Sequence, residues 1–264
     1  MKTALYLLLL FFAFACQKNS KSEDEELATK EISQAQQIVD AARFAHGSEL
    51  VEEASIKFTF RDRLYKSIRD GGMFQYERVF EDSVDNTVRD VLNNEGFFRE
   101  INGETVELDK EKSDAYTNSV NSVIYFALLP YNLNDRAVNK TYIGTTNIKG
   151  EPYHQIKVTF GKEKGGKDYE DEFVYFFHTE KNTMDYLAYN YLTDGGGARF
   201  REAYNQREVE GILFADFINY KPMDAARRDV ENFDELFKKD SLQELSRIET
   251  KEIEVVINPE EESI

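Results

Sequence analysis

Hydrophobic and polar positions alternate along most of this chain. From Ala54 to Tyr65 (ASIKFTFRDRLY), Ile56, Phe58, Phe60 and Leu64 fall on one side of an extended backbone, and Lys57, Thr59, Arg61, Arg63 and Tyr65 on the other. Asp70-Gly71-Gly72 predicts a turn into Met73–Phe80, and Thr87–Leu92 follows. Phe97–Ile101 and Glu104–Leu108 flank Asn102-Gly103, a strong two-residue hairpin signal. The period of two resumes with Thr141–Asn147, Tyr153–Phe160, Tyr169–His178, Met184–Leu192, Ala198–Gln206 and Ile212–Tyr220. Gly165-Gly166, Lys181-Asn182, Asp194–Gly197 and Glu210-Gly211 supply turns. Leu245–Ile257 reads as a last strand, and Pro259–Ile264 as a fraying end.

Three stretches change period. Ser33–Ala45 carries an apolar stripe at Ile38, Val39, Ala42 and Ala45, with Ser33 as cap and Gly47 just past the end. His46 is expected to be a cation favoured by that helix C-terminus. Glu111–Leu129 places Ala115, Tyr116, Val120, Val123, Ile124, Ala127 and Leu128 at helical spacing before Pro130 stops it. It reads as a buried helix packed on the sheet, with an active-site helix carrying Asn121 and Ser122 as the alternative. Val230–Phe237 reads as a short amphipathic helix. About eleven or twelve strands in meander order, with one long helix midway, exclude an alternating βα fold. The expected class is mainly β (α+β): a single curved antiparallel sheet forming an open half-barrel, with one long inserted helix and short terminal helices.

Charge narrows the partners. With 33 basic and 50 acidic residues the net charge is −17. Such a surface repels phosphate backbones, so nucleic acid is excluded as an expected partner.

The amino terminus has its own pattern. Lys2 precedes the apolar run Ala4–Ala15, which is too short to span a bilayer and ends in Ala13-Phe14-Ala15-Cys16. Small residues at −3 and −1 before a cysteine look like a lipobox, in which the Cys16 thiol takes up diacylglycerol. The alternative is an ordinary signal peptide with a chance cysteine. Cys16 is the only cysteine, so no intramolecular disulfide can form and lipidation would block the one free thiol. Two acyl chains anchor stably to a membrane. The polar stretch Gln17–Glu31 reads as a tether. Its acidic run Glu23–Glu26 is loosely similar to the export signal of Bacteroidota surface lipoproteins, and a plain solvated linker reads equally well. The expected organisation is therefore signal peptide 1–15, lipidated tether 16–32 and one half-barrel domain 33–258. The expected location is the cell envelope, by the outer membrane, on an undecided face.

Candidate chemistry gathers around Asp185–Tyr220. Arg199, Arg201 and Asn205 share one face of their expected strand; Asp185, Tyr189 and Tyr191 share a face of the strand before. Arg61 lies on the polar face of the first strand. If the concave face carries Arg61, Asp185, Tyr189, Arg199 and Arg201, it would hold an amphiphile with an anionic head, since a guanidinium pairs with carboxylate or phosphate through two parallel hydrogen bonds. The alternative is a set of cross-strand ion pairs on the solvent face, worth roughly 0.2–1 kcal/mol each. An enzyme using Asp185 or Asp216 beside Arg199 as acid–base groups, and a structural subunit of an envelope complex, stay open. No catalytic residue is assigned. His46, His154 and His178 lack metal spacing, no Gly-x-Ser-x-Gly is present, and no cofactor or metal is expected.

Several stretches resemble a family of uncharacterised Bacteroidota lipoproteins: Ala45-His46-Gly47, Phe58-Thr59-Phe60-Arg61, Asn121–Phe126, Leu129-Pro130, Leu133-Asn134-Asp135, Asp185–Tyr189 and Gly196–Asn205. They cover most of 35–253. Members sometimes carry a deoxyribose-phosphate aldolase label, which would imply a (β/α)₈ barrel with a Schiff-base lysine. This chain lacks that alternation, and Lys157 reads as a solvated strand lysine between Ile156 and Val158. The strand–helix–strand layout also looks like the LolA/LolB lipoprotein-carrier half-barrel, which implies a concave face that holds acyl chains.

Overall fold

The computed structural model describes residues 32–161, 170–192, 195–226 and 228–259. The signal segment, Cys16 and nearly all of the tether, the Gly165-Gly166 turn, the first residue of the Asp194–Gly197 turn and most of the terminal segment lie outside the described residues. From Ser33 on, the chain clusters as one unit.

Helix α1 (Gln34–Ala45) starts where expected, with the Ser33 hydroxyl accepting from the Gln36 N–H at 3.2 Å. A six-stranded meander follows: β1 (Ala54–Phe60), β2 (Arg63–Asp70), β3 (Met73–Glu81), β4 (Thr87–Asn93), β5 (Gly96–Ile101) and β6 (Glu104–Val106). The expected unbroken strand 54–65 is really a hairpin. Arg61 and Asp62 take φ of 50° and 59°, a two-residue turn that pairs Phe60 with Arg63 and Phe58 with Tyr65. Tyr65 therefore stacks on Phe58, ring centroids 5.6 Å apart, instead of facing away from it. Arg61 sits on a turn, not on a strand face.

Helix α2 (Lys110–Ala127) is capped by the Asp109 carboxylate on the Lys112 N–H, 2.8 Å. The second run is β7 (Val138–Ile148), β8 (Glu151–Phe160), β9 (Phe173–His178), β10 (Met184–Tyr191), β11 (Gly197–Val209) and β12 (Ile212–Pro222). Helix α3 (Phe233–Lys238), β13 (Leu242–Ile248) and β14 (Lys251–Ile257) close the chain.

The architecture is antiparallel and open, as expected, but the ladders form two curved seven-stranded sheets, β14-β1-β2-β3-β4-β5-β6 and β13-β12-β11-β10-β9-β8-β7. The expected last strand divides between them. Its first half pairs with β12, its second with β1, and only Glu249-Thr250 separates the halves. The Asp216 carboxylate accepts the Thr250 backbone N–H at 3.0 Å, so a side chain takes the place of a ladder partner where the chain changes sheets.

The second sheet is covered on both faces. Ala35, Val39 and Ala42 of α1 pack with Ile156, Tyr175, Phe177, Leu187 and Phe217, and Tyr125 and Phe126 of α2 join them. This is the inner face. Phe233 of α3 packs with Val174, Phe176, Tyr186 and Phe200 on the other. All six residues of β9 (FVYFFH) are buried as a result, the mark of a strand with no solvent side. On the first sheet, Val120 and Ile124 of α2 pack with Ile56, Phe58, Tyr65 and Tyr76. Helix α2 thus contacts the inner faces of both sheets.

Candidate functional site

A cavity of about 320 Å³ lies between the C-terminal half of α2 and the strands at the seam. Helix α2 contributes Ser122, Val123, Phe126 and Ala127; β1 and its turn contribute Phe60 and Arg61. Tyr189 comes from β10, Arg201 from β11, and Ala215, Phe217 and Asn219 from β12; Ile248 and Thr250 close the seam. Strand register explains the set. Arg201 stands opposite Leu187 and Asn219, and Phe217 opposite Ala203 and Ile248, so all point to the inner face. Most of the lining is apolar, and no aspartate or glutamate belongs to it.

Arg201 is the unusual member. It is 8% exposed, its Nη2 donates to the Tyr189 hydroxyl at 2.9 Å, and its guanidinium lies 4.0 Å from the Phe126 ring centroid. Its Nε finds no acceptor, and among the described residues no carboxylate pairs with it. Cation–π contact with Phe126 and Tyr189 offsets part of the desolvation, which for an unpaired ion is several kcal/mol. Beside it, the Asn219 amide donates to Ser246 Oγ at 3.2 Å while its Oδ1 is buried without a donor.

Arg61 is exposed at the cavity's edge, 5.0 Å from the Phe60 ring centroid. Phe60 and Arg61 also line an adjoining hollow of about 240 Å³ with Asp62, Arg247, Glu249 and Lys251. The cavity therefore opens past a rim of mixed charge.

Arg61, Tyr189 and Arg201 come together at the cavity; Asp185 and Arg199 do not line it. Tyr189 and Arg199 are cross-strand partners on the inner face, but Arg199 donates to the Tyr191 hydroxyl at 2.6 Å and stacks on that ring. A register shift between Met184 and Tyr186 turns Asp185 away to accept from Tyr153 (3.1 Å) and Gln206 (2.9 Å). Asn205 departs too: with φ of 49° at a bulge in β11, it donates to Asp216 at 2.6 Å. Asp216 is buried, held by Asn205, Arg207 and the Thr250 N–H, far in the ladder from Arg199.

The remaining candidates have structural roles. Lys157 pairs with Glu172 (2.8 Å) and Glu231 (2.7 Å), bonds that raise its pKa, the opposite of what an imine-forming lysine needs. His178 Nε2 lies 3.0 Å from Glu151. His46 is not a cation: burial lowers its pKa to about 4, and its Nε2 accepts the Met184 N–H. Among the described residues no cluster of His, Cys, Asp and Glu could hold a metal.

Sequence reasoning missed the cluster under the other half of α2. Asp90, fully buried, accepts from Arg78 (2.8 and 2.5 Å) and Arg99 (2.6 and 3.0 Å), while Arg78 reaches Ser119 of α2 at 2.7 Å. Arg99 lies 3.7 Å from the Tyr116 ring centroid. The signal lay in three neighbouring strands carrying Arg78, Asp90 and Arg99 at matched register, legible only once that register is known.

Fold and cavity together define an open antiparallel half-barrel with helices laid on its inner face. The chain belongs to a family of unknown function, DUF6503, which matches residues 2–250. No curated protein matches its sequence. Among solved structures it is similar to a DUF1329 family protein from Desulfovibrio piger, at 13% identity over 82% of this chain and 92% of that one, with a TM-score of 0.44. It is also similar to a LolA superfamily protein from Nitrosomonas europaea, at 8% identity over 83% and 92%, TM-score 0.46. A domain named for outer membrane lipoprotein sorting, from Vibrio parahaemolyticus, matches at 7% identity over 85% and 95%, TM-score 0.41.

Proposed function

We propose that this chain is an envelope lipoprotein, anchored through an acylated Cys16, whose half-barrel binds a lipid or other amphiphile in the cavity beneath α2. One observation carries the reading. In a chain of net charge −17, the cavity is mostly apolar, has no carboxylate in its lining, and holds a buried guanidinium that no carboxylate pairs with among the described residues. An apolar pocket with a few convergent polar groups is the general form of a small-molecule site. The Ala13-Phe14-Ala15-Cys16 sequence supports the anchor.

Native mass spectrometry of the full-length chain extracted from membranes tests both parts. The expected product begins at Cys16 with covalent lipid and carries a further, non-covalent lipid-sized adduct. Ala215→Trp, which fills the cavity from β12, is expected to remove the adduct without unfolding the protein. An adduct that survives in Ala215→Trp, or none in the wild type, sinks the cavity reading. A product without covalent lipid sinks the anchor.

A further inference from the structure

We infer that the ligand is a single aliphatic chain ending in a carboxylate, and that it binds head first, with its carboxylate buried against Arg201 and its chain running toward Arg61. This rests on the cavity being an amphiphile site and fixes the class and direction of what enters.

The placement of charge is the first argument. An amphiphile normally keeps its charged end in water and buries its tail, and a long cationic side chain does the same. Arg201 does the reverse: the residue is only 8% exposed, its guanidinium lies against Phe126 and Tyr189, and its Nε–H has no acceptor. A tail pushed against it would leave the cation unpaired in a drier site still. An anionic head placed there supplies the missing partner.

The count of charge is the second. Arg201 is the buried cation of the lining, and no carboxylate among the lining residues shares it. One positive charge matches one negative charge. A phosphate monoester, with roughly −1.5 to −2 at neutral pH, would bury an excess of negative charge. A carboxylate also fits the two parallel N–H donors of a guanidinium. Tyr189 accepts from Arg201 through its oxygen, so its own hydroxyl hydrogen is available to an acceptor at the same point.

Size is the third. About 320 Å³ stands at the low end of ligand cavities, which span roughly 300–1,000 Å³. That suits one chain and not a several-chained lipid. Phe217, Ile248, Phe60 and Val123 give the chain its apolar contacts.

The test uses the full-length chain in phosphatidylcholine nanodiscs, with empty nanodiscs as reference and four ten-carbon probes: decanoate, methyl decanoate, decanol and decyl phosphate. Decanoate is expected to bind at least tenfold more tightly than the other three. Arg201→Met is expected to bind decanoate and its methyl ester equally, and Arg201→Lys to keep part of the preference. If Arg201→Met does not fold, the four wild-type affinities decide. Equal wild-type binding of acid, ester and alcohol overturns the head-first orientation and leaves the amphiphile reading standing. Tighter binding of decyl phosphate overturns the carboxylate class. No binding of any probe overturns this inference; retention of a native lipid adduct in the membrane-extracted protein then shows whether the amphiphile reading survives it.

Discussion

The backbone N–H of Met184, at the start of β10, donates to the imidazole Nε2 of His46, at the end of α1, across 3.0 Å. A helix cap thereby serves as a ladder partner for a strand 138 residues away. The His46 carbonyl also accepts from Leu213 at 3.2 Å, so one residue ties α1 to β10 and β12. Burial outweighs the helix C-terminus here: the ring must stay neutral to accept, and desolvation, the largest influence on it, holds its pKa near 4.

A pH dependence follows from that sign. The folded pKa, about 4, lies below the ordinary 6.5, so the unfolded chain binds the proton first as pH falls. The stability tied to His46 is full above pH 6.5 and drains as pH drops toward 4, by on the order of 3 kcal/mol. Urea midpoints at pH 7.5, 6, 5 and 4 measure it. His46→Gln, which can still accept from Met184, is expected to flatten the decline across this window. An unchanged slope in that variant rules out His46 as its source.

Gly47 stands where no side chain fits. Its φ is +65°, and a Cβ would lie 2.0 Å from the Gly211 carbonyl oxygen, which is backbone and cannot swing aside. Gly47→Ala is expected to cost more than about 2 kcal/mol, because strain and clash add. Gly103→Ala, at φ +82° with open space around it, is expected to cost about 1 kcal/mol. Thermal unfolding of the two variants side by side checks the difference.

Beneath α2 the buried Asp90 carboxylate pairs with buried Arg78 and half-buried Arg99. Asp90→Ala leaves Arg78 and Arg99 without their acceptor and is expected to destabilise by about 3–5 kcal/mol. Ser119→Ala, which removes only the α2 partner of Arg78, is expected to cost about 1 kcal/mol. Chemical denaturation separates the two.

Arg199 and Arg201 alternate on one strand face but have different surroundings. Arg199→Ala gives up a tyrosine stack and hydrogen bond and is expected to leave lipid retention unchanged, at a stability cost of about 1 kcal/mol. Equal loss of bound lipid in Arg199→Ala and in Arg201→Met would mean that the site extends beyond the cavity.

Local chemistry wrote much of the fold in advance. Ser33 capping α1 and the left-handed pair Asn102-Gly103 depend on neighbours within a few residues, and alternation marks a strand wherever one face is buried. The candidate site was legible only in part. Arg61, Tyr189 and Arg201 meet at the cavity, whereas Ser122, Val123 and Phe126 came from a helix whose apolar stripe gave no sign that one edge would border open space.

What the sequence determined by itself is most of the strands, the helices and most turns, because each follows from contacts between residues close along the chain. What tertiary structure decided is parity, pairing and burial. The turn at Arg61-Asp62 reverses which face Tyr65 occupies without breaking the alternation, and an extra residue at Asp185 removes it from the face of Tyr189. At the change of sheets the Thr250 N–H goes to the side chain of Asp216, on β12, in place of a backbone partner. Arg199 and Arg201 read identically along the strand. Only the arrival of α2, which sets Phe126 over one guanidinium, makes Arg201 a buried charge with no carboxylate partner among the described residues.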